Sequence, residues 1–255
     1  MQTATDFTLK DKNALVIGGT SGIGKAIARG YLQAGAQVVI AGRDAGKLAR
    51  ALAELGSLGP VTGYQADVST EDGLRGLVGV TLAHMGHLDV LVNCQGIIVL
   101  KPAEDFTSAD WNAVIDTDLK SVFFACTEVG RHMLGRSSGA IINIASLASH
   151  RGWPRSALYA VAKAGVLSLT QTLGAEWAAR GVRVNAISPG FFMTEINQGK
   201  MSPERKALAL ARTPAGRFGE VDELVGAAIY LACPASGFVN GQSIAVDGGF
   251  LATGL

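Results

Sequence analysis

Seven short runs rich in valine and isoleucine, spaced along the whole chain and separated by longer helical patterns, constrain this sequence more than any other feature. They are NALVIGG (13–19), AQVVIAG (36–42), VTGYQAD (61–67), LDVLVNCQG (88–96), GAIINIAS (139–146), VRVNAISPG (182–190) and GQSIAVDGG (241–249). Most are apolar at successive positions, so both faces of each strand are buried, as in parallel strands held between helical layers. The intervening segments, such as KAIARGYLQAG and EDGLRGLVGVTLAHMG, carry apolar residues at helical spacing and end on glycine. Strand and helix alternating in this way predict an α/β fold, a doubly wound parallel seven-stranded sheet with helices on both faces. No proline- or serine-rich linker and no internal repeat divides the 255 residues, so residues 1–255 read as a single domain.

Composition narrows the functional classes. Apolar residues make up 48% and charged residues 17% of the chain. That excess of apolar side chains suggests that part of the surface is covered by further copies of the chain. A formal net charge of +1 gives no electrostatic case for nucleic acid or an anionic membrane as partner. Cys94, Cys126 and Cys233 are odd in number and far apart, which fits reduced thiols and neither a disulfide framework nor a metal site. The start, MQTATDFTLKDK, lacks a basic stretch followed by an apolar run, and no apolar stretch reaches the roughly 18 residues of a membrane span. The expectation is a soluble cytoplasmic protein.

The first strand runs directly into VIGGTSGIGKAIARG. Gly18, Gly22 and Gly24 lie between a strand and a helix, where missing Cβ atoms let main-chain N–H groups approach a pyrophosphate. The helix that follows turns its positive N-terminus toward that anion. Nucleotide binding in a Rossmann arrangement follows, although the spacing G-x-x-x-G-x-G is one residue longer than the common dinucleotide fingerprint. Further along, SALYAVAKAG places Tyr159 and Lys163 four residues apart, on one helical face.

With that loop spacing and that pair, the chain resembles the short-chain dehydrogenase/reductases over nearly its whole length. The resemblance implies a cofactor half at about 10–145 and a catalytic and substrate-binding half at about 146–255. Gly18, Gly22 and Gly24 match the family's glycine motif, with Thr20, Ser21 and Ile23 among its cofactor contacts, though Ile17 stands where threonine is usual. Asp67 and Val68 match the adenine-contacting position after strand three. LVNCQG is similar to the family's Asn-Asn-Ala-Gly, keeping Asn93 and Gly96 around Cys94 and Gln95. SPGFFMT is similar to its Pro-Gly-x-x-x-Thr, implying cofactor contacts from Pro189, Gly190, Phe192 and Thr194.

The resemblance also implies a catalytic centre of Ser146, Tyr159 and Lys163, with Asp118 where the family usually has an asparagine. A free phenol has a pKa of about 10, and bringing it toward 7 takes roughly 4 kcal/mol of differential stabilisation of the phenolate. A lysine cation and a positive nicotinamide ring in a low-dielectric site can supply that. Tyr159 would then act as general base in oxidation and general acid in reduction. Ser146 would steady the substrate oxygen, and Lys163 would also hold the nicotinamide ribose. Asp118, if ionised, would offset part of the effect of Lys163 on Tyr159.

Strand two ends VVIAGRD. An acidic residue at its tip would bind a ribose 2′-hydroxyl and repel a 2′-phosphate. Gly42 stands there, and the guanidinium of Arg43 follows, suited to a phosphate. NADP(H) is therefore the expected cofactor, with NAD(H) left open. The loops around the expected pocket read LASHRGWPRSA, IIVLKPAEDF and FFMTEINQGKM (191–201), and His150, Trp153 and Phe191 are the candidate substrate contacts beside Ser146 and Tyr159. These loops look most like those of gluconate and 2-dehydro-3-deoxygluconate 5-dehydrogenases, implying a polyol, keto sugar or sugar acid. A 3-oxoacyl-[acyl-carrier-protein] reductase-like activity, or a non-catalytic nucleotide-binding sensor or scaffold, stays open. The family resemblance further implies a homotetramer.

Overall fold

The computed structural model describes residues 7–194 and 202–253. Seven parallel strands, β1 (Asn13–Ile17), β2 (Gln37–Gly42), β3 (Val61–Gln65), β4 (Val90–Asn93), β5 (Gly139–Ile144), β6 (Val182–Pro189) and β7 (Ser243–Val246), form one sheet in the order β3-β2-β1-β4-β5-β6-β7. The order reverses between β1 and β4, the switch point at which open α/β sheets bind ligands. Register across it is Ile17 against Asn93 and Val16 against Val92.

Alternation within each strand builds two cores. Val16, Ile40, Val92 and Ile142 point to one face and pack with Ile27 and Tyr31 of α1 (Gly22–Gln33) and with Ala228 and Leu231 of the C-terminal helix (Val225–Ala232). Ile17, Val39, Leu91 and Ile141 point to the other face and pack with residues of the helices Glu71–Met85, Ser121–Gly135 and Ala157–Trp177. Cutting one such fully buried aliphatic side chain to alanine typically costs about 2–5 kcal/mol.

The strands are shorter than their apolar runs because turns cut in. Gly18 adopts φ 80° and ends β1, and Gly248 and Gly249, at φ 61° and 89°, follow β7. The segment 107–135 is not one regular helix. It comprises a helix Ser108–Ile115, a π turn at Asp116–Lys120 and a helix Ser121–Gly135. Among the described residues, no helix is long and apolar enough to cross a membrane.

Candidate active site

A cleft of about 500 Å³ opens at the C-terminal ends of the central strands. Gly18, Thr20, Ser21, Gly22, Ile23 and Gly24 form one wall. Gly18 needs its positive φ, and a Cβ there would also lie 2.8 Å from the Cys94 backbone; a Cβ on Gly24 would sit 2.2 Å from Gly18 O. The N-terminus of α1, where the Ser21 side chain makes no capping hydrogen bond, opens on this wall and favours an anion there.

The adenosine end is built by the tips of β2 and β3. Arg43, Asp67 and Val68 line the cleft, together with Asp44, Lys47 and Ser69. The Ser69 hydroxyl bonds Asp67 Oδ1 at 2.7 Å, and that bond, aided by the Ser69 N–H and nearby Arg43, holds the Asp67 carboxyl below its ordinary pKa. No carboxylate stands at position 42, and a Cβ on Gly42 would meet Thr20 Oγ1 at 2.7 Å, so a side chain there would displace Thr20. Asp44 does bring a carboxylate nearby, but its Oδ1 caps the next helix by accepting the Lys47 N–H at 2.8 Å. Arg43 itself is exposed.

Across the cleft stand Ser146, just beyond β5, and Tyr159 and Lys163 of the helix α2 (Ala157–Trp177). Lys163 Nζ lies 5.8 Å from the centre of the Tyr159 ring and donates to Ile144 O at 2.9 Å. The lysine is 4% exposed, so its charge acts in a poorly solvated setting. Ser146 Oγ accepts the Ala148 N–H at 3.1 Å, which leaves the hydroxyl proton free to donate. Ser149 ties this loop to α2: its hydroxyl donates to Lys163 O at 2.7 Å and accepts the Ser146 N–H at 3.2 Å. Pro189, Gly190, Phe192, Thr194 and Gly96 also line the cleft, as do Cys94, Gln95 and Thr117.

Asp118 does not line the cleft but lies behind Lys163. It is fully buried, with Oδ1 accepting the Ile97 N–H at 2.8 Å and Oδ2 at 3.8 Å from Lys163 Nζ. At that separation no direct hydrogen bond joins the pair. Burial outweighs the attraction of Lys163 and pushes the Asp118 carboxyl up to about 6.

Four other candidate residues lie apart from the cleft wall. Asn93 turns inward, donating to Asn143 Oδ1 at 2.9 Å, and Asn143 donates to Thr170 Oγ1 at 3.0 Å, so a buried polar chain links β4, β5 and α2. His150 Nε2 lies 2.9 Å from Ser188 Oγ, on β6. Trp153 and Phe191 pack together at 5.4 Å between ring centres, and both pack on Phe250. Residues 195–201, the rest of the segment expected near the substrate, lie outside the described residues. Sequence reasoning missed Gln95, Ser121, Asn143, Ser149 and Thr170. Only their polar character within largely apolar runs could have flagged them.

Residues 18–251 match the family model described as enoyl-(acyl carrier protein) reductase. The chain is 39% identical over 245 residues to gluconate 5-dehydrogenase of Gluconobacter oxydans (strain 621H), covering 95% of this chain and 96% of that protein. It is 38% identical over 249 residues to 2-dehydro-3-deoxy-D-gluconate 5-dehydrogenase of Escherichia coli (strain K12), covering 96% and 98%. A crystal structure of a gluconate 5-dehydrogenase from Burkholderia cenocepacia J2315, in complex with NADP and tartrate, superposes with a TM-score of 0.91 at 39% identity, covering 99% of this chain and 100% of that one. With this cleft, this sheet order and these relatives, the chain belongs to the short-chain dehydrogenase/reductase family.

Proposed function

We propose that this protein is an NADP(H)-preferring oxidoreductase that interconverts a secondary alcohol and a ketone on a sugar acid, keto sugar or polyol. The observation that carries the reading is the placement of Tyr159 and Lys163, with Ser146, in the same cleft as the glycine loop. The cofactor fits that cleft on this chain's own terms: the first wall has no Cβ at Gly18 or Gly24, and a helix N-terminus opens onto it. Gly18 to Gly24 would hold the pyrophosphate, Asp67 and Val68 the adenine, and Lys163 the nicotinamide ribose. When bound, the nicotinamide supplies the hydride acceptor or donor.

The protein's part is proton transfer and orientation. In oxidation, the Tyr159 phenolate takes the hydroxyl proton of the substrate; in reduction, the phenol returns it to the carbonyl oxygen. Lys163, anchored on Ile144 O, sets its positive charge beside the Tyr159 ring. Ser146 points its free proton at the substrate oxygen and stabilises charge as it develops. Arg43, at the tip of β2 beside an Asp44 whose Oδ1 is engaged in capping the next helix, would pair with the 2′-phosphate.

The substrate class rests on relatives named gluconate 5-dehydrogenase, 2-dehydro-3-deoxy-D-gluconate 5-dehydrogenase and D-threitol dehydrogenase. The test is absorbance at the nicotinamide band with NADP(H) and a panel of gluconate, threitol, keto sugar acids and a 3-oxoacyl thioester. Turnover of the sugar acids or polyols is expected. Faster turnover of the thioester would replace this reading with an acyl reductase, and nucleotide binding with no turnover would replace it with a sensor or scaffold. We also propose that the protein is a homotetramer, on the apolar residues Trp111, Phe123 and Val161, which are 47%, 43% and 52% exposed on the helices flanking the π turn and on α2.

A further inference from the structure

The helix that runs past the back of Lys163 is interrupted at Asp116–Lys120. The Ser121 N–H bonds Asp116 O, five residues back. An α-helix would have given that N–H to Thr117 O. The Ser121 hydroxyl takes over the abandoned carbonyl, donating to Thr117 O at 2.6 Å. Gln95 Nε2 then donates to Ser121 Oγ at 3.0 Å. Because the hydroxyl proton is already committed, the oxygen can only accept, and this fixes which end of the Gln95 amide faces it. Gln95 and Ser121 are 7% and 2% exposed, so both bonds are made away from bulk water, where losing one is costly.

The two residues after Gln95 read the same turn. A Cβ on Gly96 would lie 3.0 Å from Asp118 Oδ2 and 3.5 Å from Lys163 Nζ, so this loop packs directly against the Asp118–Lys163 pair. Ile97 N–H donates to Asp118 Oδ1. Oδ2 is left without a hydrogen-bond partner among the described residues and faces Lys163 Nζ. The extra residue of a π turn matters here, since one residue more or less rotates a helix face by about 100°.

We propose that Gln95 and Ser121 are positioning residues of the reaction: they hold the π turn that keeps the free oxygen of Asp118 on Lys163, and so set the pH range over which Lys163 supports Tyr159. The Asp118 carboxyl passes from neutral to charged beside a lysine that itself faces Tyr159, and the field at the phenol changes with it. Lys163 acts most strongly on Asp118 among the charges around it, with Arg43 weaker; Lys163 also acts on the Cys94 thiol, just beyond β4. The inference rests on the Ser146–Tyr159–Lys163 reading and adds to it how the lysine is tuned.

The experiment is a pH–rate profile of the NADP-dependent reaction for wild type, Ser121→Ala and Ser121→Thr, each also in an Asp118→Asn background. Ser121→Ala is expected to lower kcat by about threefold to tenfold, the range for one neutral hydrogen bond, and to move the inflection of the profile by about half a unit or more. Ser121→Thr should restore both, and in the Asp118→Asn background Ser121→Ala should no longer move the inflection. A uniform loss of kcat with an unmoved inflection, or the same shift in both backgrounds, overturns the proposal. If Ser121→Ala does not fold, Gln95→Leu, which spares the Ser121–Thr117 bond, is read by the same inflection. Tyr159→Phe serves as control: full activity in that variant sinks the catalytic reading itself, whereas an inactive Tyr159→Phe beside an unmoved Ser121→Ala profile sinks only this inference.

Discussion

On the proposed mechanism, Tyr159 and Lys163 would divide labour in a way that single substitutions can separate. The phenol would meet only the substrate proton, whereas the ammonium would meet both the phenol and the ribose. Tyr159→Phe is therefore expected to reduce turnover by about a hundredfold or more, the usual worth of a positioned general acid–base, with NADPH affinity nearly unchanged. Lys163→Ala should impair both, as read by kcat and by nucleotide titration. More than a tenth of wild-type turnover in Tyr159→Phe would remove the phenol from the mechanism. Arg43 offers a second test at this scale. Its place on the cleft lining just after β2, with glycine and no acid at position 42, leads to the expectation that Arg43→Ala weakens NADPH about tenfold and NADH little. Equal losses would show that Arg43 does not read the phosphate.

At the scale of elements, the π turn carries a stability consequence of its own. Asp118 has its folded pKa raised, from an ordinary 3.8 to about 6. A raised folded pKa contributes stability that is fully present below the ordinary value and is lost as pH rises through about 6. Between pH 4 and pH 8 the wild type should thus lose about 2–3 kcal/mol relative to Asp118→Asn, which has no carboxyl to ionise. Urea midpoints of the two proteins across that range measure the gap, and a gap that does not vary with pH would mean that Asp118 is not buried as a titrating acid. The same substitution should shift the rise of the oxidation rate to lower pH, because a neutral amide no longer offsets Lys163 at Tyr159.

At the scale of the whole molecule, the helices that position the site also carry its apolar exterior. Val122 and Leu173 turn into the core, at 2% and 6% exposed, while Phe123, Val161 and Trp111 remain outside. A face of this kind is covered when helices pair with their copies across a two-fold axis. Sedimentation at micromolar concentration is expected to show a tetramer. Charging the face with Phe123→Asp and Val161→Asp should dissociate it, and a wild type that sediments only as monomer would sink the assembly.

The sequence by itself determined what depends on local pattern. Seven apolar runs alternating with helical spacing specify the parallel sheet, since strands buried on both faces need helices between them. The glycine loop was legible because its backbone requirements fall within one strand–turn–helix unit, and Tyr159 with Lys163 because four residues in one helix share a face. Tertiary structure decided everything that joins distant segments. Asp118 meets Lys163 across 45 positions of chain only because a π turn faces α2, and no apolar period announces a π turn. Gln95 reaches Ser121, Asn93 reaches Asn143, and His150 lies against Ser188 rather than on the cleft wall. A buried polar atom takes whichever partner packing brings within about 3 Å, and packing is a property of the assembled sheet and helices, not of any one stretch of sequence.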